Sequence, residues 1–141
     1  MKAIRTVLLF LTLVYANTTL ETNLGTQVGQ PCSSTGYFHI ITFDVTPWPP
    51  TQSGNSIVTI SGVIRQAIGI GQIIYGIENQ SQQWFYEYQT VDQTYNPGQA
   101  VTFTNILDWP SSPGSYLAQV TAHGEGNPNN IHACWTFSFS Y

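Results

Sequence analysis

The sequence predicts an all-β protein, a single sandwich of about seven strands. Three observations lead there. Segments of six to eleven residues, rich in β-branched and aromatic side chains, recur along the chain with alternating apolar and polar positions, the mark of strands with one buried face. Each is bounded by a cluster of Pro, Gly, Asn or Ser, which supply turn geometry. No segment keeps the 3.6-residue period of a helix, and the regular strand–turn spacing is that of a β-sandwich.

The elements follow in order. Residues 17 to 36 hold few large apolar groups and read as an extended arm leading to Cys32. "YFHIITFDV" is the first strand, and "TPWPPTQSGN" ends it, because proline cannot continue a sheet ladder. "SIVTISGVI" comes next, then "AIGIGQIIYGI", loosened by Gly69 and Gly71. "ENQSQ" turns the chain into "QWFYEYQTV", "YNPGQ" into "AVTFTNI", and "DWPSSPG" into "SYLAQVTAH". "GEGNPNN" makes the last turn before the closing "IHACWTFSFSY".

Residues 1–16 read as a secretory signal rather than as part of the domain. Lys2 and Arg5 precede the apolar run "VLLFLTLVY", and Ala16 stands where a signal peptidase needs a small residue. The run is too short to span a bilayer. Residues 17–141 then form one domain, large enough to bury roughly two thirds of its unfolded surface. Beyond the leader Arg65 is the single basic side chain apart from histidines, against seven carboxylates. A surface so poor in cations cannot neutralise phosphates, which excludes nucleic acid and disfavours anionic membranes as partners. Asn17 and Asn79 each open a sequon and are the expected glycan sites.

Cys32 and Cys134 are the two cysteines, and in a secreted chain one bridge between them is the economical expectation. It closes a loop of about a hundred residues, which chain entropy values at roughly 4–5 kcal/mol.

Enzyme chemistry finds little footing. The mature chain has no lysine for covalent catalysis, and bridged cysteines leave no thiolate. No serine sits on a strand–turn–helix elbow. His39, His123 and His132 lack metal-ligand spacing, so neither a metal nor a cofactor is expected. Asp44 and Asp108 stand beside proline turns, where a carboxylate usually accepts backbone hydrogen bonds.

The aromatic residues leave two readings open. Trp84, Tyr86 and Tyr88 share one parity of their strand; Val101 and Phe103 share another, as do Tyr116, Ala118, Val120 and Ala122, and Trp135, Phe137 and Phe139. Ile68, Ile70 and Ile74 fall on one face of the third strand, Ile73 and Ile77 on the other. These faces suit a filled core. They equally suit sheets held apart around a ligand, with Ala118 and Ala122 leaving the room, and an uncharged lining would then favour a lipid.

The order of motifs adds to this. A leader is followed by "QPCSSTGYFHIITFDVTPWPP", "QSGNSIVTISG", "YNPGQAVTFTN", "SPGSYLAQVTA" and "ACWTFSF". Together these resemble the ML, or lipid-recognition, domain family, over nearly the whole chain from about Gly29 to Tyr141. The resemblance implies an immunoglobulin-like sandwich of two sheets around an apolar cavity, a disulfide matching Cys32 and Cys134, and no catalysis. Carried over position by position, it implies ligand contacts at Trp84, Tyr86, Val101, Phe103, Tyr116, Val120, Phe137 and Phe139, with Trp135 as an anchor beside the bridge. It further implies a monomeric carrier of a sterol or other lipid, secreted or in the lysosomal or endosomal lumen, that touches membranes or a membrane receptor. Trp48 and Trp109, both in loops, are candidates for that contact. The chain departs from many members in lacking two further disulfides, and no cationic rim serves an acidic headgroup. An immunoglobulin-like protein or glycan recognition module with a filled core is the alternative.

Overall fold

A computed structural model describes residues 26–32 and 36–141; the leader and the Asn17 sequon lie outside them. The described chain contains nine strands and no helix: β1 (Thr26–Gln27), β2 (Gln30–Pro31), β3 (Phe38–Thr46), β4 (Asn55–Ile64), β5 (Ile68–Glu78), β6 (Trp84–Tyr95), β7 (Ala100–Asp108), β8 (Ser115–Gly124) and β9 (Ile131–Ser140). The seven long ones match the seven expected, and all pair antiparallel. They form an immunoglobulin-like sandwich of a four-stranded sheet, β1-β3-β4-β7, and a five-stranded sheet, β2-β9-β8-β5-β6.

The N-terminal arm crosses from one sheet to the other. β1 pairs with β3 and β2 with β9. Between them the Val28 amide donates to the Phe43 carbonyl at 3.0 Å, while the Val28 carbonyl accepts the Trp135 indole N–H at 2.7 Å. Gly29 makes the crossing with φ of 75°, and any side chain there would collide with the Thr136 carbonyl. Cys32 then bridges Cys134, joining residues 102 apart in sequence.

Bulges in β5, β3 and β9 decide which side chains face inward. The bulge at Gly71, seen in the pairing of β5 with β8, corrects the expected parity of β5: Ile68 and Ile70 before it, and Ile73, Tyr75 and Ile77 after it, are all buried, while Ile74 turns outward. One extra residue flips every later side chain to the other face. The bulge between Ile40 and Thr42 likewise lets Phe38, Phe43 and Val45 all be buried, leaving Ile41 exposed. The third, in β9, falls opposite Ala122 and His123.

Rings fill the middle of the sandwich. Phe43 stacks on Trp135 with centroids 5.5 Å apart and planes 7° from parallel, and tilts against Phe137 at 5.6 Å. Phe38 and Tyr95 meet Phe103 edge-on, and Phe139 contacts Trp109 at 5.0 Å and Tyr116 at 5.2 Å. Such offset and edge-on pairs are the favoured aromatic geometries. Ala118 lies between Ile77 and Phe137 on the neighbouring strands, so its small side chain accommodates large ones.

The loop tryptophans pack against this core. Trp109 is buried and donates to the Ser56 hydroxyl at 2.8 Å, which in turn donates to the Pro47 carbonyl at 2.7 Å. That relay ties the proline-rich loop to the end of β7. Trp109 is therefore not available to touch a membrane, whereas Trp48 is half-buried against Phe137. No helix among the described residues is long and apolar enough to cross a membrane.

Candidate functional site

At the end of the sandwich where β5 turns into β6, the inner faces of the two sheets separate around a cavity of about 370 Å³. Tyr75 and Ile77 form one wall, Phe85 and Glu87 the open side, and Leu107, Trp109 and Tyr116 the other wall and end. Those walls are buried, while Phe85 stands 55% exposed at the mouth and the rest of the lining is half-buried or, at Tyr86, Asp108, Ser111 and Ser112, exposed, so the cavity is half open to solvent. The volume lies in the range of roughly 300–1,000 Å³ usual for small-molecule sites. A second depression, about 310 Å³, opens at the opposite end between Phe38 and Trp135 and is rimmed by His39, Arg65 and His132.

β6 and β7 are the outer strands of their sheets and meet along the cavity's open side. Two side chains of β6 bridge the gap. Gln89 donates to the Thr104 carbonyl at 3.1 Å and accepts the Tyr75 hydroxyl at 2.7 Å. Glu87 accepts the Asp108 amide at 3.2 Å. Asp108 thus contributes its N–H here, a different use from the one expected of a carboxylate beside a proline turn.

Burial pushes the Glu87 carboxyl above its ordinary range; the Asp108 amide opposes the shift and the Asp108 charge adds to it. Burial also raises the Tyr75 hydroxyl, with the Glu87 charge contributing. The Tyr75 hydroxyl is therefore a neutral donor at any physiological pH.

The sequence-derived contacts separate into groups. Tyr116 lines the cavity. Phe103, Val120, Phe137 and Phe139 are buried between the sheets in the packed interior, and Val101 is half-buried towards the other end. Trp84 and Tyr86 require correction as inward-facing residues. They lie on the outer face of the five-stranded sheet, their rings 5.9 Å apart and 8° from parallel above Gly76, whose missing side chain leaves them room. Tyr86 borders the cavity only at its rim.

Sequence reasoning missed Tyr75, Ile77, Phe85, Glu87, Leu107 and Trp109. The inward parity of β6 reads Phe85, Glu87, Gln89 and Val91, less apolar than its outer parity. An outer strand covered on one side only can spend inward positions on polar contacts. The more aromatic parity therefore pointed the wrong way.

The chain superposes on the crystal structure of a Niemann-Pick type C2 protein from the Japanese carpenter ant with a TM-score of 0.57, covering 79% of this chain and 96% of that one. The two share a fold. Their sequences are 8% identical, so the likeness to the Niemann-Pick type C2 protein extends to the sandwich alone. No protein-family model and no curated protein matches the sequence.

No group of three metal-ligating side chains gathers among the described residues, and both cysteines are in the bridge. His123 bonds to Thr121 and to the Pro128 carbonyl, each at 2.7 Å. His132 is buried, and burial, with the charge of His123, lowers its pKa below the ordinary 6.5. Below pH 6.5 the unfolded chain binds this proton more readily than the fold does, so stability falls as pH drops from 6.5 towards the depressed value. His132→Asn should flatten that slope by up to one proton. Urea midpoints at about pH 7 and pH 5.5 test it, and a slope unchanged in the variant would contradict it.

Proposed function

We propose that the protein is a non-catalytic lipid carrier that takes the apolar part of one sterol or other neutral lipid into the cavity between its sheets. The observation that carries this reading is the cavity opening between β6 and β7, with apolar walls of Tyr75, Ile77, Leu107 and Trp109 but, against the uncharged lining expected, Glu87 and Asp108 at its open side, in a fold shared with a Niemann-Pick type C2 protein. The ML-family motifs of the sequence point the same way. Burial of each methylene contributes about 0.8 kcal/mol, so lengthening the buried chain by two carbons should tighten binding by roughly tenfold with no covalent chemistry. The carrier is a secreted or lysosomal monomer bearing a glycan on Asn79 and handing its ligand to a membrane or receptor. The Asn79 carboxamide oxygen already caps the β5–β6 turn by accepting the Ser81 and Gln83 amides, and a glycan on its nitrogen leaves those bonds in place.

The ring-filled middle of the sandwich favours a second reading, a recognition module that binds through its surface. Native mass spectrometry of the secreted protein, with lipid extraction, separates the two. A bound lipid near one-to-one is expected. If the protein is empty and takes up neither a sterol nor a phospholipid, with Trp109 fluorescence unmoved, the carrier reading fails.

A further inference from the structure

Resting on the carrier reading, we infer that Glu87 receives the polar end of the ligand and restricts it to lipids that end in a hydrogen-bond donor, a hydroxyl or an ammonium, against lipids that end in a carboxylate. Glu87 lies on the inner parity of β6, directly across from Tyr75, in the open side of the cavity. One of its oxygens accepts the Asp108 amide; the other receives no hydrogen bond from the described residues.

The buried donors of the lining are already engaged, and the hydroxyls that are not, those of Tyr86, Ser111 and Ser112, stand on the exposed rim. Tyr75 gives its hydroxyl proton to Gln89, Tyr116 gives its own to the Ser112 carbonyl at 2.6 Å, and the Trp109 indole gives its N–H to Ser56. What remains is a carboxylate oxygen open to the pocket, which water satisfies in the empty protein and a ligand donor can take over when it displaces that water. Ser111 and Ser112, exposed on the rim, carry no charge.

Charge points the same way. Asp108 adds a second carboxylate to the lining, and the one described lysine or arginine, Arg65, lies beyond the far end of β4, where Val63 pairs with Ala100 rather than Asn55 with Asp108. A carboxylate brought into this cavity meets like charge in an apolar surround with no cation to offset it. An ammonium meets opposite charge, and a hydroxyl donates to Glu87 without penalty.

Dodecanol, dodecylamine and dodecanoate share a chain and differ in this one group. Calorimetric titration of the intact protein at about pH 7 should rank the amine and the alcohol at least ~10-fold tighter than the carboxylate. Glu87→Gln keeps an acceptor for the Asp108 amide and adds a donor. It should tighten dodecanoate and weaken dodecylamine by ~10-fold each, leaving dodecanol nearly unchanged. A purely structural role for Glu87 would shift all three alike and so overturn the inference. Equal wild-type affinity for dodecanoate and dodecylamine would overturn it too, whatever the variant does. If the wild type binds none of the three, the inference is overturned, and the carrier reading falls with it only if a sterol and a phospholipid are refused as well.

Discussion

Phe43→Ala is expected to lower the unfolding free energy by about 3–5 kcal/mol, the range for deleting a fully buried ring. Phe43 is wholly inaccessible to solvent, stacks on Trp135 and tilts against Phe137. Its backbone is also committed, since its carbonyl accepts the Val28 amide of the crossing arm. The strands around it are pinned by their ladders and cannot collapse into the void, so the loss should fall at the upper end of that range. Against a typical total of about 5–15 kcal/mol this is a large fraction. Urea unfolding followed by tryptophan fluorescence measures it, and a change under about 1 kcal/mol would mean that the middle of the sandwich is far looser than its ring contacts indicate.

Opening the Cys32–Cys134 bridge should have a comparable effect. The chain-entropy model assigns about 4–5 kcal/mol to a loop of this length, as an upper estimate. Two further losses bear on the result. β2 pairs with β9 over two residues only, and the Trp135 indole depends on the arm for its acceptor, the Val28 carbonyl. Replacing both cysteines with alanine should therefore free the arm as well as destabilise the domain. The urea midpoint should fall, and proteolysis should nick the chain near Gly29 before the strands unfold. Identical midpoints and digestion patterns for variant and wild type would contradict this.

The fold was legible because its signals are local. Turn clusters such as "YNPGQ" and "GEGNPNN" end strands by their own chemistry, and the alternation in β8 and β9 survives up to the bulge between Ala122 and His123. What the alternation could not carry was the count of residues across a bulge. At Gly71 one unpaired residue moved Ile73 and Ile77 onto the same face as Ile68 and Ile70, and nothing in the local pattern marks which glycine of "AIGIGQ" does so. The cavity was less legible still. Its lining is assembled from β5, β6, the end of β7 and the start of β8, residues that only the sheet order brings together. In β6 the rule that aromatics face inward failed because Gly76 on the neighbouring strand offers Trp84 and Tyr86 a seat outside. The importance of Glu87 likewise rests on where the donors of Tyr75, Tyr116 and Trp109 point, which is a property of the packed structure.

The two long margins of the sandwich are fastened differently. Along β3 and β9 the arm is laced into both sheets by backbone bonds and secured by a covalent bridge. Along β6 and β7 the described fastening is two side-chain hydrogen bonds, Gln89 to Thr104 and Glu87 to Asp108, each a net contribution of about 0.5–3 kcal/mol, and one ring contact, Tyr95 on Phe103, nearer the connecting turn. The molecule is thus bound like a book, with a stitched spine and a light clasp. It can part its covers at the clasp without unzipping a strand, and the clasp includes the same carboxylate to which we assign the reading of the guest.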